Sequence, residues 1–119
     1  MYKRQTDIFA IDDDELKVAL KYIRDNVASD INVAEVANAC HISRRLLELK
    51  FRRHLACSPG DAIRKARLEH ILRLLYDTDK SITSIASECG FTSTASLCQA
   101  FQKHYGESPG RLRQNIRGD

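Results

Sequence analysis

No apolar run in these 119 residues approaches the ~20 needed to span a membrane, and no signal-peptide pattern opens the chain. A membrane partner is therefore not expected, and the cytoplasm is the expected compartment. The four cysteines (Cys40, Cys57, Cys89, Cys98) show no C-x-x-C pairing or other zinc-ligand spacing, so no metal is expected. Cys40 and Cys89 read instead as small buried hydrophobes. No segment alternates apolar and polar residues long enough to make a convincing strand, which points to an all-α chain. Nucleophile–base pairs, Gly-rich phosphate loops and carboxylate dyads are missing too. No catalytic residue, no cofactor and no enzymatic activity are expected. At 43% hydrophobic residues the chain is ordinary globular material, with length for one domain or two small lobes.

What is present is a repeat. Ser43, Leu47, Phe51, His54 and Ser58-Pro59-Gly60 recur as Ser93, Leu97, Phe101, His104 and Ser108-Pro109-Gly110, each pair 50 positions apart. With a one-residue slip the match continues upstream: Asp30, Val33, Val36, Ala37, Cys40 and Ile42 pair with Asp79, Ile82, Ile85, Ala86, Cys89 and Phe91. Each copy reads as a short helix, a tight turn and a second helix. Two such units in one chain can occupy two major-groove segments of DNA without dimerising. Two copies are too few for a solenoid.

The net charge is only +3, but it is unevenly spread. Residues 1–42 sum to −3, residues 43–73 to +6, and residues 74–119 balance, with Lys103, Arg111, Arg113 and Arg117 gathered near the end. The basic block coincides with the second helix of the first unit and the helix after it. There it can neutralise phosphates and release counterions. A merely solvated helix face is the other meaning of such charge.

About seven helices are expected. Asp12 with Glu15 forms a capping box for a helix near 13–27, whose apolar stripe is Leu16, Val18, Ala19, Leu20, Tyr22, Ile23 and Val27. Asn32 with Glu35 caps roughly 33–40, and Ser43 caps a third helix to about Leu55. Ser58-Pro59 opens a longer helix, about 59–76, burying Ile63, Ala66, Leu68, Ile71, Leu72 and Leu75. Ser81 caps 82–89, Ser93 caps 94–105, and Ser108-Pro109 opens a last short helix. The organisation expected is a tail over 1–12, a first helix-turn-helix subdomain over 13–57, a linking helix over 58–77 and a second helix-turn-helix subdomain over 78–119.

The groove-facing residues follow from helical period. Leu47, Phe51 and Leu55 pack inward, leaving Arg45, Glu48, Leu49 and Arg52 on the opposite face. Arg45 can form two hydrogen bonds to a guanine edge, Glu48 can accept from a cytosine amine, and Leu49 can meet a thymine methyl. Glu48 can equally pair with Arg44, Arg45 or Arg52 along the helix, and both readings stay open. Ser43, Arg44, Arg52 and Arg53 are phosphate candidates. In the second unit Leu97, Phe101 and Tyr105 pack inward, so Thr94, Ala95, Cys98 and Gln99 are the base-reading candidates. Ser93, Gln102 and Lys103 are the phosphate candidates. This second face is nearly uncharged, so the first unit is expected to supply most affinity and the second to refine specificity. His54 and His104, at matching positions, read as half-buried packing residues with a shared structural role. Arg67 and Glu69 are expected to make intramolecular pairs.

The run from about Asp13 to Arg117 resembles the DNA-binding domain of AraC/XylS-type transcription regulators. The second unit carries Ile85-Ala86, Cys89-Gly90-Phe91, Ser93, Phe101-Gln102-Lys103, Gly106, Ser108-Pro109 and Arg113. The first carries Ile42-Ser43-Arg44-Arg45, Leu47-Glu48, Phe51-Arg52 and Arg67-Leu68-Glu69. A closer similarity is to the xylose-operon regulator subgroup, through Arg4-Gln5-Thr6-Asp7, Ala10-Ile11-Asp12-Asp13 and Ser43-Arg44-Arg45-Leu46-Leu47-Glu48. The chain departs from the family at Leu49 and Gln99, where Arg is frequent, at Leu97 and Leu112, where aromatics are usual, and at His41, where a turn Gly is common.

The resemblance implies two helix-turn-helix subdomains joined by a long helix, bound to adjacent major-groove segments of double-stranded DNA and controlling transcription, more often by activation. RNA polymerase is the implied protein partner. The chain is expected to be the C-terminal fragment of a sugar-responsive activator, monomeric alone, with dimerisation left to the full-length protein. The alternative is a complete stand-alone activator made only of these two units. An alkyl-transfer repair enzyme would need a zinc-bound reactive cysteine that this spacing does not provide. A helical protein-interaction module would not need the +6 block.

Overall fold

The computed structural model describes residues 12–116, which form seven helices and no strand. They are α1 (Asp14–Asp25), α2 (Val33–Cys40), α3 (Arg44–Leu55), α4 (Pro59–Asp77), α5 (Ile82–Glu88), α6 (Thr94–Tyr105) and α7 (Pro109–Ile116). The all-α expectation holds. The Arg4–Asp7 and Ala10–Ile11 segments, and Arg117, lie outside the described residues. Two compact units are present, one of residues 12–26 with 31–64, the other of residues 27–30 with 65–116. Helix α4 contributes residues 59–64 to the first and residues 65–77 to the second.

Each helix starts where a short polar side chain satisfies an otherwise orphaned backbone donor. Asn32 and Glu35 form a full capping box, with both hydrogen bonds at 2.9 Å. Ser43, Ser81 and Ser93 accept from Leu46, Ser84 and Ser96 N–H at 3.0, 3.0 and 3.1 Å. Ser58 and Ser108 accept from Asp61 and Arg111 N–H ahead of the two prolines. Pro59 and Pro109 are also fully buried, so each is a packing residue as well as a helix starter. At α1 the cap is Asp13, not Asp12: its carboxylate accepts from Leu16 N–H at 3.0 Å. The helix ends at Asp25, where the Asn26 amide donates to the Tyr22 carbonyl at 2.9 Å.

The first unit buries Leu16, Ala19 and Ile23 from α1, Val36, Ala37 and Cys40 from α2, Leu47 and Phe51 from α3, and Ile63. Helices α1, α2 and α3 pack pairwise against one another. Val18, expected in the stripe, is 46% exposed. It sits two residues from Leu16, about 200° round the helix, while Leu16, Ala19 and Ile23 share one face. The second unit closes over Leu68, Ile71, Leu75, Ile85, Ala86, Cys89, Leu97 and Phe101. Ala66 and Leu72 on α4 are only half-buried. Tyr105 lies against Phe101 with ring centroids 4.7 Å apart. Burial pushes the Cys40 and Cys89 thiols up, which keeps them protonated as packing groups.

The turns of the two units solve one conformational problem with different residues. Gly90 and Gly106 take φ of 82° and 83°, and at the matching places His41 and Ala56 take 59° and 56°. A left-handed L-residue costs roughly 1–2 kcal/mol. A Cβ at Gly90 would also sit 3.3 Å from the Asp30 Oδ1 that Arg67 holds at 3.0 Å. Gly90→Ala is therefore expected to cost about 1–2 kcal/mol, read as a lower urea midpoint. An unchanged midpoint would show that the turn relaxes freely.

Candidate nucleic-acid interface

In each unit a serine-capped helix stands on a buried Leu–Phe pair, Leu47 and Phe51 in α3 and Leu97 and Phe101 in α6, all four with 0% exposure. Because this pair holds the inner face, the opposite face must meet solvent. On α3 that outer face carries Arg45, Leu49, Arg52 and Arg53, with Leu49 56% and Leu46 39% exposed. Arg45 makes no ion pair among the described residues. Arg44 does: its Nε lies 3.5 Å from the Glu48 carboxylate, one turn on. Glu48, left open between two readings, is thus engaged along its own helix.

The orientation of α3 is fixed by a contact that periodicity could not reveal. Lys50 donates to the Asp13 carboxylate at 2.6 Å and lies 3.2 Å from Glu15, with the Lys50 and Asp13 side chains only 20% and 12% exposed. His54 Nε2 is 3.7 Å from the same carboxylate. Asp13 therefore caps α1 and grips α3 at once. Burial works to raise its carboxyl, but the Lys50 and Leu16 hydrogen bonds with the positive charge of Lys50 and His54 outweigh it, so it titrates below the ordinary 3.8. The Asp13 hydrogen bond in turn raises Lys50. A carboxylate with a lowered folded-state value stabilises fully above its unfolded value, and that contribution disappears as pH falls through the folded value. The stability difference between the native chain and Asp13→Asn, which keeps a capping oxygen, is expected to be constant above pH 3.8 and to vanish in stronger acid. Asp13→Ala also removes the cap and costs a further ~0.5–2 kcal/mol. Thermal melts across that range check both, and a pH-independent difference would sink the ion-pair account.

The second unit's outer face differs. Ala95 and Gln99 are exposed, as are Ser93, Gln102 and Lys103. Thr94 and Cys98, expected to face outward with them, are half-buried. Thr94 donates to the Thr83 hydroxyl at 3.3 Å, and Cys98 packs against the core. Helix α6 presses these two positions toward α5 and the core, leaving a narrower outward face than the wheel suggests. Ser93 donates its hydroxyl to Ser96 at 3.3 Å. Arg113, one of the four basic residues gathered near the end of the sequence, is structural: its guanidinium donates to the Lys80 carbonyl at 2.5 Å and the Thr78 carbonyl at 3.1 Å. It satisfies acceptors just past the end of α4. The two histidines also part company, since His104 stands edge-on to Tyr105 at 4.6 Å whereas His54 leans on Asp13. The repeat has no acid to match Asp13, because the residue it needs lies upstream of the duplicated segment. Arg67 pairs with Asp30, as an intramolecular role required.

Two serine-capped second helices, each after a short helix and a tight turn, make a pair of helix-turn-helix units. The helix-turn-helix domain family matches residues 18–115. A solved regulator from Chromobacterium violaceum, described as containing an AraC-type DNA-binding domain, superposes with a TM-score of 0.83 at 27% identity, over 88% of this chain and 94% of that one. The chain is an AraC-type helix-turn-helix DNA-binding domain. The DNA-binding domain of AdpA, a global transcriptional factor solved in complex with a target DNA, matches with a TM-score of 0.80 and 26% identity, over 87% of this chain and 93% of that one. Among curated relatives, the xylose operon regulatory protein of Escherichia coli is 32% identical over 93% of this AraC-type domain and 28% of its own length. An uncharacterised helix-turn-helix regulator of Haemophilus influenzae is 31% identical over 92% and 37%. The AraC-type domain thus spans roughly a third of the curated relatives it matches. Among the described residues no helix is long and apolar enough to cross a membrane, and no cluster of three His, Cys, Asp or Glu could hold a metal ion.

Proposed function

We propose that this AraC-type domain binds double-stranded DNA with sequence specificity by placing α3 and α6 in two adjacent major-groove segments. It is the DNA-reading end of a sugar-responsive transcription activator that works in the cytoplasm alongside RNA polymerase. The observation that carries the DNA reading is the repeated geometry of a capped helix whose inner Leu–Phe pair is sealed and whose outer face is polar and open. The AdpA complex supports the same use of the fold. The sugar response is drawn from the likeness to the xylose operon regulatory protein. Arg45, Leu49, Ala95 and Gln99 are the proposed base readers. Ser43, Arg52, Arg53, Gln102 and Lys103 are the proposed phosphate partners, with the backbone of the duplex setting register.

Selection of bound duplexes from a randomised pool at moderate salt tests this. Two enriched motifs with centres about one helical turn apart are expected. Binding that merely fades with salt, without enrichment, would reduce the domain to a nonspecific basic surface. The domain alone is expected to sediment as a monomer, and a tight dimer at micromolar concentration would overturn that part of the reading.

A further inference from the structure

The duplication places Arg45 against Ala95 and Leu49 against Gln99, each pair 50 positions apart and each residue exposed. Within a unit the two positions are one helical turn apart, so they face neighbouring base pairs from the start of the reading helix, the part that reaches base edges in helix-turn-helix complexes. The long polar side chain comes first in α3 and second in α6. The apolar one takes the other place.

Resting on the DNA-binding reading above, we propose that this crossed arrangement makes the two half-sites chemically different. Arg45 takes a guanine and Leu49 a thymine methyl in the first, while Ala95 meets a thymine methyl and Gln99 takes an adenine in the second. Three observations narrow the choice to these four. Glu48 lies 3.5 Å from Arg44, an ion pair along the helix that competes with a cytosine-reading role and leaves Arg45 as the guanidinium of the first turn without an ion pair among the described residues. Thr94 is bonded to Thr83 and Cys98 packs on the core, both half-buried, so each presents less surface to a base than Ala95 and Gln99 do. Arg52, Arg53, Gln102 and Lys103 sit in the last turn of their helices, where the backbone is the nearer target.

The chemistry of the pairs is unambiguous. A guanidinium fork matches the two acceptors of guanine, O6 and N7. A carboxamide matches the donor–acceptor pair of adenine, N6 and N7. An aliphatic group rewards the thymine methyl. Leu49 needs a methyl at some distance from the helix axis, whereas Ala95 needs the helix closer to its base.

The test is a specificity exchange in the whole domain, reading the selected motif for the native chain, Arg45→Gln and Gln99→Arg. Both positions of change are exposed, and unchanged circular dichroism melts confirm folding. Arg45→Gln is expected to turn one guanine of one motif into adenine and leave the other motif untouched. Gln99→Arg is expected to turn one adenine of the second motif into guanine. On matched and single-base-swapped duplexes each preference should invert, by about 5-fold to 150-fold. A native motif that keeps every base in both variants would overturn the assignment while leaving sequence-specific binding intact. Absence of any native motif would remove the DNA-reading proposal and this one with it.

Discussion

Phe101→Ala is expected to destabilise the second unit by about 3–5 kcal/mol, the range found for emptying a buried aromatic site. Phe101 has no exposed surface, sits among Leu68, Ile71, Leu75, Ile85 and Leu97, and carries Tyr105 against its ring at 4.7 Å. Truncation removes the transfer energy of a phenyl ring and leaves a void that helices on several sides would have to shift to fill. Small domains hold only ~5–15 kcal/mol in all, so the loss is a large share. Guanidinium unfolding followed by helical signal should show a markedly lower midpoint, and Phe101→Leu, which refills most of the volume, should recover most of it. Phe51→Ala belongs to the same range, because Phe51 is equally buried at the matching place. A loss below ~1 kcal/mol at Phe101 would mean that the core collapses around the gap, contrary to the dense packing expected of such an interior.

The second large effect is on binding. Arg45→Ala is expected to weaken the DNA complex by about 1–3 kcal/mol, or roughly 5-fold to 150-fold, and Gln99→Ala by clearly less. Charge-assisted hydrogen bonds are about twice as strong as neutral ones. The outer face of α3 also adds Arg52 and Arg53, whereas that of α6 adds only Lys103 from its own helix. Arg113 cannot make up the difference, since its guanidinium is spent on the Thr78 and Lys80 carbonyls. Anisotropy titrations at several salt concentrations separate the two kinds of loss. Arg52→Ala should reduce the salt slope by about 0.9 while weakening all duplexes alike. Equal losses for Arg45→Ala and Gln99→Ala would sink the asymmetry.

The repeat made most of the architecture readable. Leu47, Phe51, Leu97 and Phe101 were legible as core because their spacing at helical period leaves them no other face. The caps at Asn32, Ser43, Ser81 and Ser93 were legible because a short polar side chain before an apolar run has one local use. The site was less legible. Periodicity assigns angles around a helix but not the height of its neighbours, so Thr94 and Cys98 counted as outward although α5 and the core cover part of them. The choice between Asp12 and Asp13 was likewise beyond local pattern. Either carboxylate has the spacing for a cap, and the tie is broken by Lys50, 37 residues away.

The sequence by itself determined the helices, their caps, the two buried anchor pairs and the register in which Arg45 matches Ala95 and Leu49 matches Gln99. All of these rest on interactions within a few residues or on the duplication itself. The tertiary structure alone decided which charged groups are free. It committed Lys50 to Asp13, Arg67 to Asp30 and Arg113 to two carbonyls, through partners 33–37 residues distant that no period encodes. Arg45, Arg52 and Arg53 on α3 and Lys103 on α6 make no ion pair among the described residues, which is why they are among the residues proposed for DNA.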